Sequence, residues 1–469
     1  MDKHRLPAVC SIAVFLAACA VTAPPAGAPL TAPAEWNAPL PHNGNLGDLS
    51  QWWQSLGDPL LLQLVQAAQA ASPTLASAQS RVLQSRAARV QARAALSPTL
   101  DASARASRSR TLPAVPAATS LQAGLQASWE LDLFGANRFA TDAAQARLEG
   151  AQAQWHDARV SVAAEVASRY FDQRACEKQS AITQLDAASR EQTSKVTAQS
   201  AQAGFTPPAE AALARAGAAD ARGRATQQRA LCLLDAKALV ALTGLPEAEL
   251  VARLAAAPLD LAPGAAFSIA SLPAQVLAQR PDLVGAEREV AATSADVGSA
   301  DAQRYPRLGL SGLIGAAHYR AGGVSDDFST WSIGPLALSV PLFDAGRRAA
   351  SVDAARARYE EAVFLYRARA RQAVREVEEA LVNLQSSAAR SEDAAAADAG
   401  YRAWLAATQA RYTGGLASLM ELEETRRTAL AAATTVVAVQ RERIQAWIAL
   451  YRAAGGGWVA AQSMQASAP

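Results

Sequence analysis

The chain is poor in the residues that build most catalytic and metal sites. Its 469 residues contain only four histidines (His4, His42, His156 and His318), and none falls in a metal-ligand spacing. Four cysteines (Cys10, Cys19, Cys176 and Cys232) form no Cys/His ligand pair. There is no glycine-rich phosphate loop and no nucleophile elbow, so no enzyme is expected. Neither sign of charge dominates: 44 basic against 42 acidic residues give a net charge of +2, which removes the electrostatic case for nucleic acid. Aromatic residues are scarce at 6%. Hydrophobic residues nevertheless reach 51%, while mean hydropathy is only +0.01. Much of the apolar share is therefore alanine, which favours long, closely packed helices over a bulky core. Proline is missing from residues 138–203 and again from 342–468.

The first residues read as an export signal. Lys3 and Arg5 supply the positive start, and Ser11–Leu16 is an apolar run too short to span a membrane. The run ends in Leu16-Ala-Ala-Cys19, which resembles a bacterial lipobox. In such signals the cysteine is acylated and becomes the first mature residue. An ordinary signal peptide cleaved near Ala18 would explain the charge and the apolar run. The order of all three features favours a lipoprotein, with Cys19 carrying N-acyl and diacylglycerol lipid. Ala20, not Asp, follows the cysteine, which in these lipoproteins points to the outer membrane. Residues 20–35, rich in Pro, Ala and Thr, suit a tether.

The rest of the chain reads as two copies. Leu131-Asp-Leu-Phe-Gly-Ala-Asn-Arg138 is echoed by Val340-Pro-Leu-Phe-Asp-Ala-Gly-Arg347, and Phe134 and Phe343 are 343 − 134 = 209 apart. Pro98 and Pro306 are 306 − 98 = 208 apart, and Gly204 and Gly415 are 415 − 204 = 211 apart. A repeat of about two hundred residues is far longer than a solenoid unit. In the first copy, Leu121, Ala123, Leu125, Ala127, Trp129, Leu131 and Leu133 alternate with polar residues, giving a strand with one apolar face. Its length, at 120–133, suits a membrane strand better than a soluble sandwich. The second copy repeats the alternation at Leu308, Leu310, Gly312 and Ile314 and at Leu336, Leu338, Val340 and Leu342. Between these runs, Ala317–Ser329 reads as an exposed loop.

A long helix is expected after each strand pair, with Asn137 and Asp344 as candidate caps. The stretch 138–203 would span about 100 Å as one helix at 1.5 Å per residue. It should stop near Gly204, restart at Thr206-Pro-Pro and return to Gly244. The second copy breaks at Gly414-Gly415, restarts with the capping-box pattern Ser418-Leu-Met-Glu421, and ends at Gly455. Cys176 and Cys232 stand at equal distances on either side of Gly204, at one height of an antiparallel pair. A disulfide there and two buried free thiols both fit the spacing.

Four strands cannot close a barrel, and open sheet edges are not tolerated in lipid, so either other chains supply the rest or the strands do not cross a membrane. Trp52-Trp-Gln-Ser-Leu-Gly-Asp-Pro59, Trp129-Glu-Leu-Asp-Leu-Phe-Gly135, Arg411-Tyr-Thr-Gly-Gly-Leu-Ala-Ser418 and Ala449-Leu-Tyr-Arg-Ala-Ala-Gly-Gly-Gly-Trp458 resemble the outer-membrane factors. These are the TolC-like exit ducts of tripartite efflux pumps, and the match is to the lipoprotein subgroup serving resistance-nodulation-division transporters. The resemblance implies a mainly α protein with a transmembrane β-barrel. A homotrimer would build a twelve-stranded barrel, four strands per chain, continuing into a long α-helical barrel with a mixed equatorial belt. It implies residence in the outer membrane of a Gram-negative bacterium and docking on a periplasmic adaptor (membrane fusion) protein and an inner-membrane resistance-nodulation-division transporter. No cofactor is implied beyond the lipid on Cys19. The expected boundaries are 1–18 signal, 19–57 tether and belt, and 58–244 first repeat (hairpin 99–134, helices 138–243). There follow 245–275 linker, 276–455 second repeat (hairpin 307–343, helices 345–454) and 456–469 tail.

The resemblance also implies roles for residues. Met420 would narrow the periplasmic entrance, and Glu421 and Glu424 would form acidic rings there; helix capping is the competing account of Glu421. Glu210 and Tyr412 match positions that latch neighbouring hairpins, although the arginine common in some members is Ala417 here. The tips Gly204, Phe205, Thr206, Gly414, Gly415, Leu416 and Ser418 would receive the adaptor. A type I secretion or metal-efflux duct of the same fold, and a non-conducting coiled-coil lipoprotein, are the alternative readings.

Overall fold

The computed structural model describes residues 21–30, 32–40, 52–110, 116–257 and 273–458. The signal segment and Cys19 lie outside them, as do parts of the expected linker and tail. The element order is α1 (Trp52–Ser55), α2 (Pro59–Ala71), α3 (Pro73–Ala94), β1 (Thr99–Ser109), β2 (Ala118–Leu131), α4 (Ala136–Gln202), α5 (Pro208–Thr243) and α6 (Glu247–Ala256). It continues with α7 (Pro273–Ala278), α8 (Pro281–Ala302), β3 (Arg307–Ala321), β4 (Val324–Ser339), α9 (Arg347–Thr413) and α10 (Leu419–Ala453). A short 3-10 turn, Gly455–Gly457, follows. The chain divides into two compact units, one holding residues 79–154 and 283–369 with the N-terminal segment, the other holding 31–78, 155–282 and 370–469.

The first unit contains a four-stranded antiparallel sheet in the order β1-β2-β3-β4. Directly paired residues share a face, so the register assembles the apolar positions into rows: Ala102, Leu125, Ile314 and Trp331; then Leu100, Ala127, Gly312 and Ile333. A bulge between Leu310 and Gly312 keeps Leu336 and Leu338 on that face. The sequence reading of Ala317–Ser329 as a loop is corrected here. β3 runs on to Ala321 and β4 starts at Val324, leaving only Gly322-Gly323 between them. Both glycines have positive φ, 58° and 87°, the backbone that a tight two-residue hairpin turn requires. Asp326 and Asp327 are therefore strand residues, and Asp327 stands opposite His318, whose Nδ1 lies 2.6 Å from its Oδ1.

The first joint between sheet and helix also differs from expectation, and the second does not. β2 ends at Leu131, and it is the Asp132 carboxylate that accepts the backbone N–H groups of Asn137 (3.1 Å) and Arg138 (2.9 Å). Asn137 lies inside α4 and does not cap it. In the second copy Asp344 accepts from the N–H groups of Gly346 and Arg348, as the sequence suggests. The two phenylalanines part company as well: Phe134 stacks on Tyr305 with ring centroids 4.9 Å apart, whereas Phe343 is 91% exposed. The presumed tether is partly packed. Ala28 and Leu30 lie against Val290, Ala362 and Tyr366, and the Pro24 and Pro25 carbonyls accept from Ser294 and Tyr359.

The second unit is organised around an aromatic and aliphatic core. Trp52, Trp53 and Tyr451 form a ring cluster with centroids 4.5–5.2 Å apart. Leu61 and Leu64 of α2, Leu250 of α6 and Leu450 of α10 pack in the same core with no exposed surface. Asp58 caps α2 through the Leu60 and Leu61 N–H groups and accepts from the Tyr170 hydroxyl at 2.5 Å. Buried Arg280 donates to the Ala453 carbonyl and pairs with Asp282 and Glu376, each at 2.8–2.9 Å. The helical hairpin of the first copy is clipped: Cys176 of α4 and Cys232 of α5 are joined in a disulfide, with Cα atoms 5.5 Å apart.

Neighbouring residues of α6 make a test of this core. Leu250 is fully buried and Val251 is 43% exposed. Leu250→Ala should cost about 2–5 kcal/mol and Val251→Ala within about 0.5 kcal/mol. The order of apparent melting temperatures, followed by helical circular dichroism, should be wild type near Val251→Ala and both well above Leu250→Ala.

Candidate functional site

Both long helices end in the same way. At the end of α4 the Phe205 N–H donates to the Ser200 carbonyl (2.9 Å) and the Gly204 N–H to the Ala201 carbonyl (3.1 Å). At the end of α9, Leu416 and Gly415 bond the Arg411 (2.8 Å) and Tyr412 (3.0 Å) carbonyls in the same pattern. These are two Schellman stops, each with a glycine in the left-handed region, φ 81° and 73°. In that motif the residue after the glycine usually packs back on its own helix. Here Phe205 is 85% and Leu416 74% exposed, so each tip presents one bare apolar side chain.

The helical restarts differ. Thr206 does not cap α5: the N-cap residue is Pro207, with no side-chain bond, and the Thr206 hydroxyl is 2.6 Å from Ser200 Oγ. Ser418 does cap α10, accepting from the Glu421 N–H at 3.1 Å. The reciprocal half of the capping box is replaced. Glu421 turns its carboxylate to Arg411 (2.8 Å), an ion pair that ties α10 to the end of α9. Met420 and Glu424, four residues apart, share the exposed face of α10, while Leu419, Leu422 and Arg426 are buried on the other. Glu424 is paired with Arg427 at 2.6 Å, so its charge is half-compensated within its own turn. Glu210 is exposed in the first turn of α5. Tyr412 meets the buried Thr197 of α4, hydroxyl to hydroxyl at 3.2 Å.

Behind the exposed face lies a cluster that the sequence reading did not single out. Arg190 of α4 pairs with Asp186 (3.0 Å) and with Glu423 of α10, and Glu423 also pairs with Arg426 (2.9 Å). Arg426 donates to Gln409 of α9 at 3.0 Å, and Arg224 of α5 approaches Asp186 at 3.5 Å. Burial, then the neighbouring Arg190 charge, pulls the Arg426 pKa below the usual arginine value; Asp186 and Tyr412 act against that. Charged groups thus tie α4, α5 and α10 at one level, and the Gln409 amide oxygen adds α9. Losing one partner would leave a buried charge uncompensated, a larger cost than the net worth of the pair. Asp186/Arg190 and Glu423/Arg426 are legible as i,i+4 and i,i+3 pairs, but nothing in the sequence marks them as buried.

In the sheet unit the apolar face has no cover from the described residues. Ile314 is 61%, Trp331 73% and Ile333 83% exposed, and β1 is exposed along its whole length. The opposite face is polar along β1 and β2, with Asp101, Ser103, Arg105, Gln122 and Gln126, and mixed along β3 and β4, where Leu313 and Phe328 stand beside Ser332, Thr330 and Asp326. A continuous apolar face with a more polar reverse is the pattern of a barrel wall between lipid and water. Among the described residues no helix is long and apolar enough to cross a membrane, and no cluster of metal-ligating side chains occurs.

Comparison with known proteins agrees with this arrangement. The family model described as outer membrane efflux protein matches residues 64–245 and 272–456. The pyoverdine export outer membrane protein OpmQ of Pseudomonas aeruginosa is 30% identical over 96% of this chain and 96% of its own length. The solvent efflux pump outer membrane protein SrpC of Pseudomonas putida is 28% identical over 87% of each. Among solved structures, the outer-membrane channel OprN superposes with a TM-score of 0.81 at 26% identity, covering 93% of this chain and 99% of that one. The Campylobacter jejuni CmeC channel has the same fold, with a TM-score of 0.81 at 22% identity. The chain belongs to the outer membrane efflux protein family.

Proposed function

We propose that three copies of this chain form the outer-membrane exit duct of a tripartite pump, passing small solutes from an inner-membrane transporter through a periplasmic adaptor to the outside. The uncovered apolar face carries this reading. One chain offers four strands with two unpaired edges, and lipid tolerates neither. Relatives named for pyoverdine export and for solvent efflux support a tunnel whose cargo the partner pump selects. Passage needs no bond-making groups, in keeping with the family's character as channels.

Met420, Glu421 and Glu424 would face the entrance, and the bare side chains Phe205 and Leu416, with their flanking turns, would dock the adaptor. The Glu424–Arg427 pair sharpens the ring idea, because three acids each carrying a nearby arginine give only a modest preference for cations. Glu424→Gln leaves Arg427 unopposed. The expected result in planar bilayers is a shift of reversal potential toward anions and weaker divalent-cation block. Unchanged selectivity and block would remove Glu424 from the constriction.

Two covalent features belong to the same reading. Acylation of Cys19 would anchor the chain. Labelled palmitate should therefore enter the wild type and be lost in Cys19→Ala; labelling that persists would return the segment to an ordinary signal peptide. The Cys176–Cys232 bridge would hold the first hairpin together in an oxidising compartment. Denatured, unreduced mature protein should show no free thiol from this pair, and Cys176→Ser should release one. Two reactive thiols in the wild type would contradict the bridge.

A further inference from the structure

The apolar face of the sheet ends abruptly at the hairpin turns. Its last paired row is Arg108, Thr119, Arg320 and Ser325, taken in order across the four strands. All four side chains can donate hydrogen bonds, and the two arginines stand two strands apart, about 10 Å from each other. Both are exposed, and neither has an ion-pair partner among the described residues. The nearest acid on this face, Asp327, lies one row further in, and its carboxylate is engaged by His318. Asp326, paired with Tyr319, belongs to the opposite face. The next row inward holds Ala106, Leu121, His318 and Asp327; the one below it is small throughout, with Ala104, Ala123, Ala316 and Ser329, before the bulky Leu125, Ile314 and Trp331.

From this arrangement we infer that the rim row is a binding site for the phosphorylated glycolipid of the outer leaflet. Arg108 and Arg320 clasp its phosphates, Thr119 donates between them, and the acyl chains lie in the alanine-floored depression below. Guanidinium matches phosphate in bidentate geometry, and these arginines sit at the depth where charge on the lipid face is least costly. Free donors above and shallow apolar relief beneath complement an anionic headgroup joined to hydrocarbon, and a zwitterionic phospholipid matches them less well. The inference rests on reading the uncovered face as lipid-facing.

The test uses the purified trimer in detergent and native mass spectrometry, with bis-phosphorylated lipid A and the same lipid after phosphate removal as probes. The wild type should retain the phosphorylated form in preference. Arg108→Gln with Arg320→Gln should lower its retention about tenfold or more, the loss expected for two charge-assisted contacts. Arg105→Gln, on the opposite face, should change nothing. Arg320→Lys keeps the charge but loses the fork, and gives an intermediate loss even if the double variant fails to assemble. Equal retention of both lipids by the wild type, or a single-site loss no greater than that of Arg105→Gln, overturns the inference. Failure of the wild type to form a trimer would instead count against the exit duct.

Discussion

Every backbone N–H and C=O inside a lipid layer must find a partner within protein, and this constraint shapes what surrounds the sheet. Three ladders pair β1 through β4 internally. The outer edge of β1 and the outer edge of β4 remain open, and each would leave a row of polar groups in hydrocarbon. Identical copies solve the problem at no cost in new sequence: β1 of one chain can pair with β4 of the next until the sheet closes. The uncovered apolar face and the more polar reverse face both follow from placing a closed sheet in the lipid.

The helical unit meets a different demand. Its helices are largely alanine and charged residues, so little of their surface is bulky enough to fix one packing by shape. Specific polar ties take over that task. The disulfide holds α4 to α5, and the cluster of Asp186, Arg190, Arg224, Glu423, Arg426 and Gln409 joins four helices at one level. The bulky aliphatic and aromatic residues are concentrated instead where Trp52, Trp53, Tyr451 and the α2 leucines meet.

Much of this was legible in the sequence, because the signals were periodic or conformational. Alternation at Leu121–Leu131 and the glycines at 204 and 415 each have one physical meaning, and both copies repeat them. The errors came where a residue serves two settings. Gly-Gly and Asp-Asp suggest a loop, yet a two-residue turn uses the same glycines and an exposed strand end tolerates the same acids. Asn137 is a good cap by type, but Asp132 is two carboxylate oxygens at the right reach. Glu421 satisfies a capping box on paper and finds a better partner in Arg411. The buried charge cluster was invisible for a simpler reason: pairs three or four apart on a helix look alike in water and in a core, and only packing against three other helices distinguishes them.

The packed N-terminal segment has a mechanical consequence. The described chain resumes at Val21, two residues after Cys19, and two residues reach no more than about 7 Å. The residues just beyond are held down by Ser294 and Tyr359. An acyl group on Cys19 would thus be on a very short leash from its own subunit.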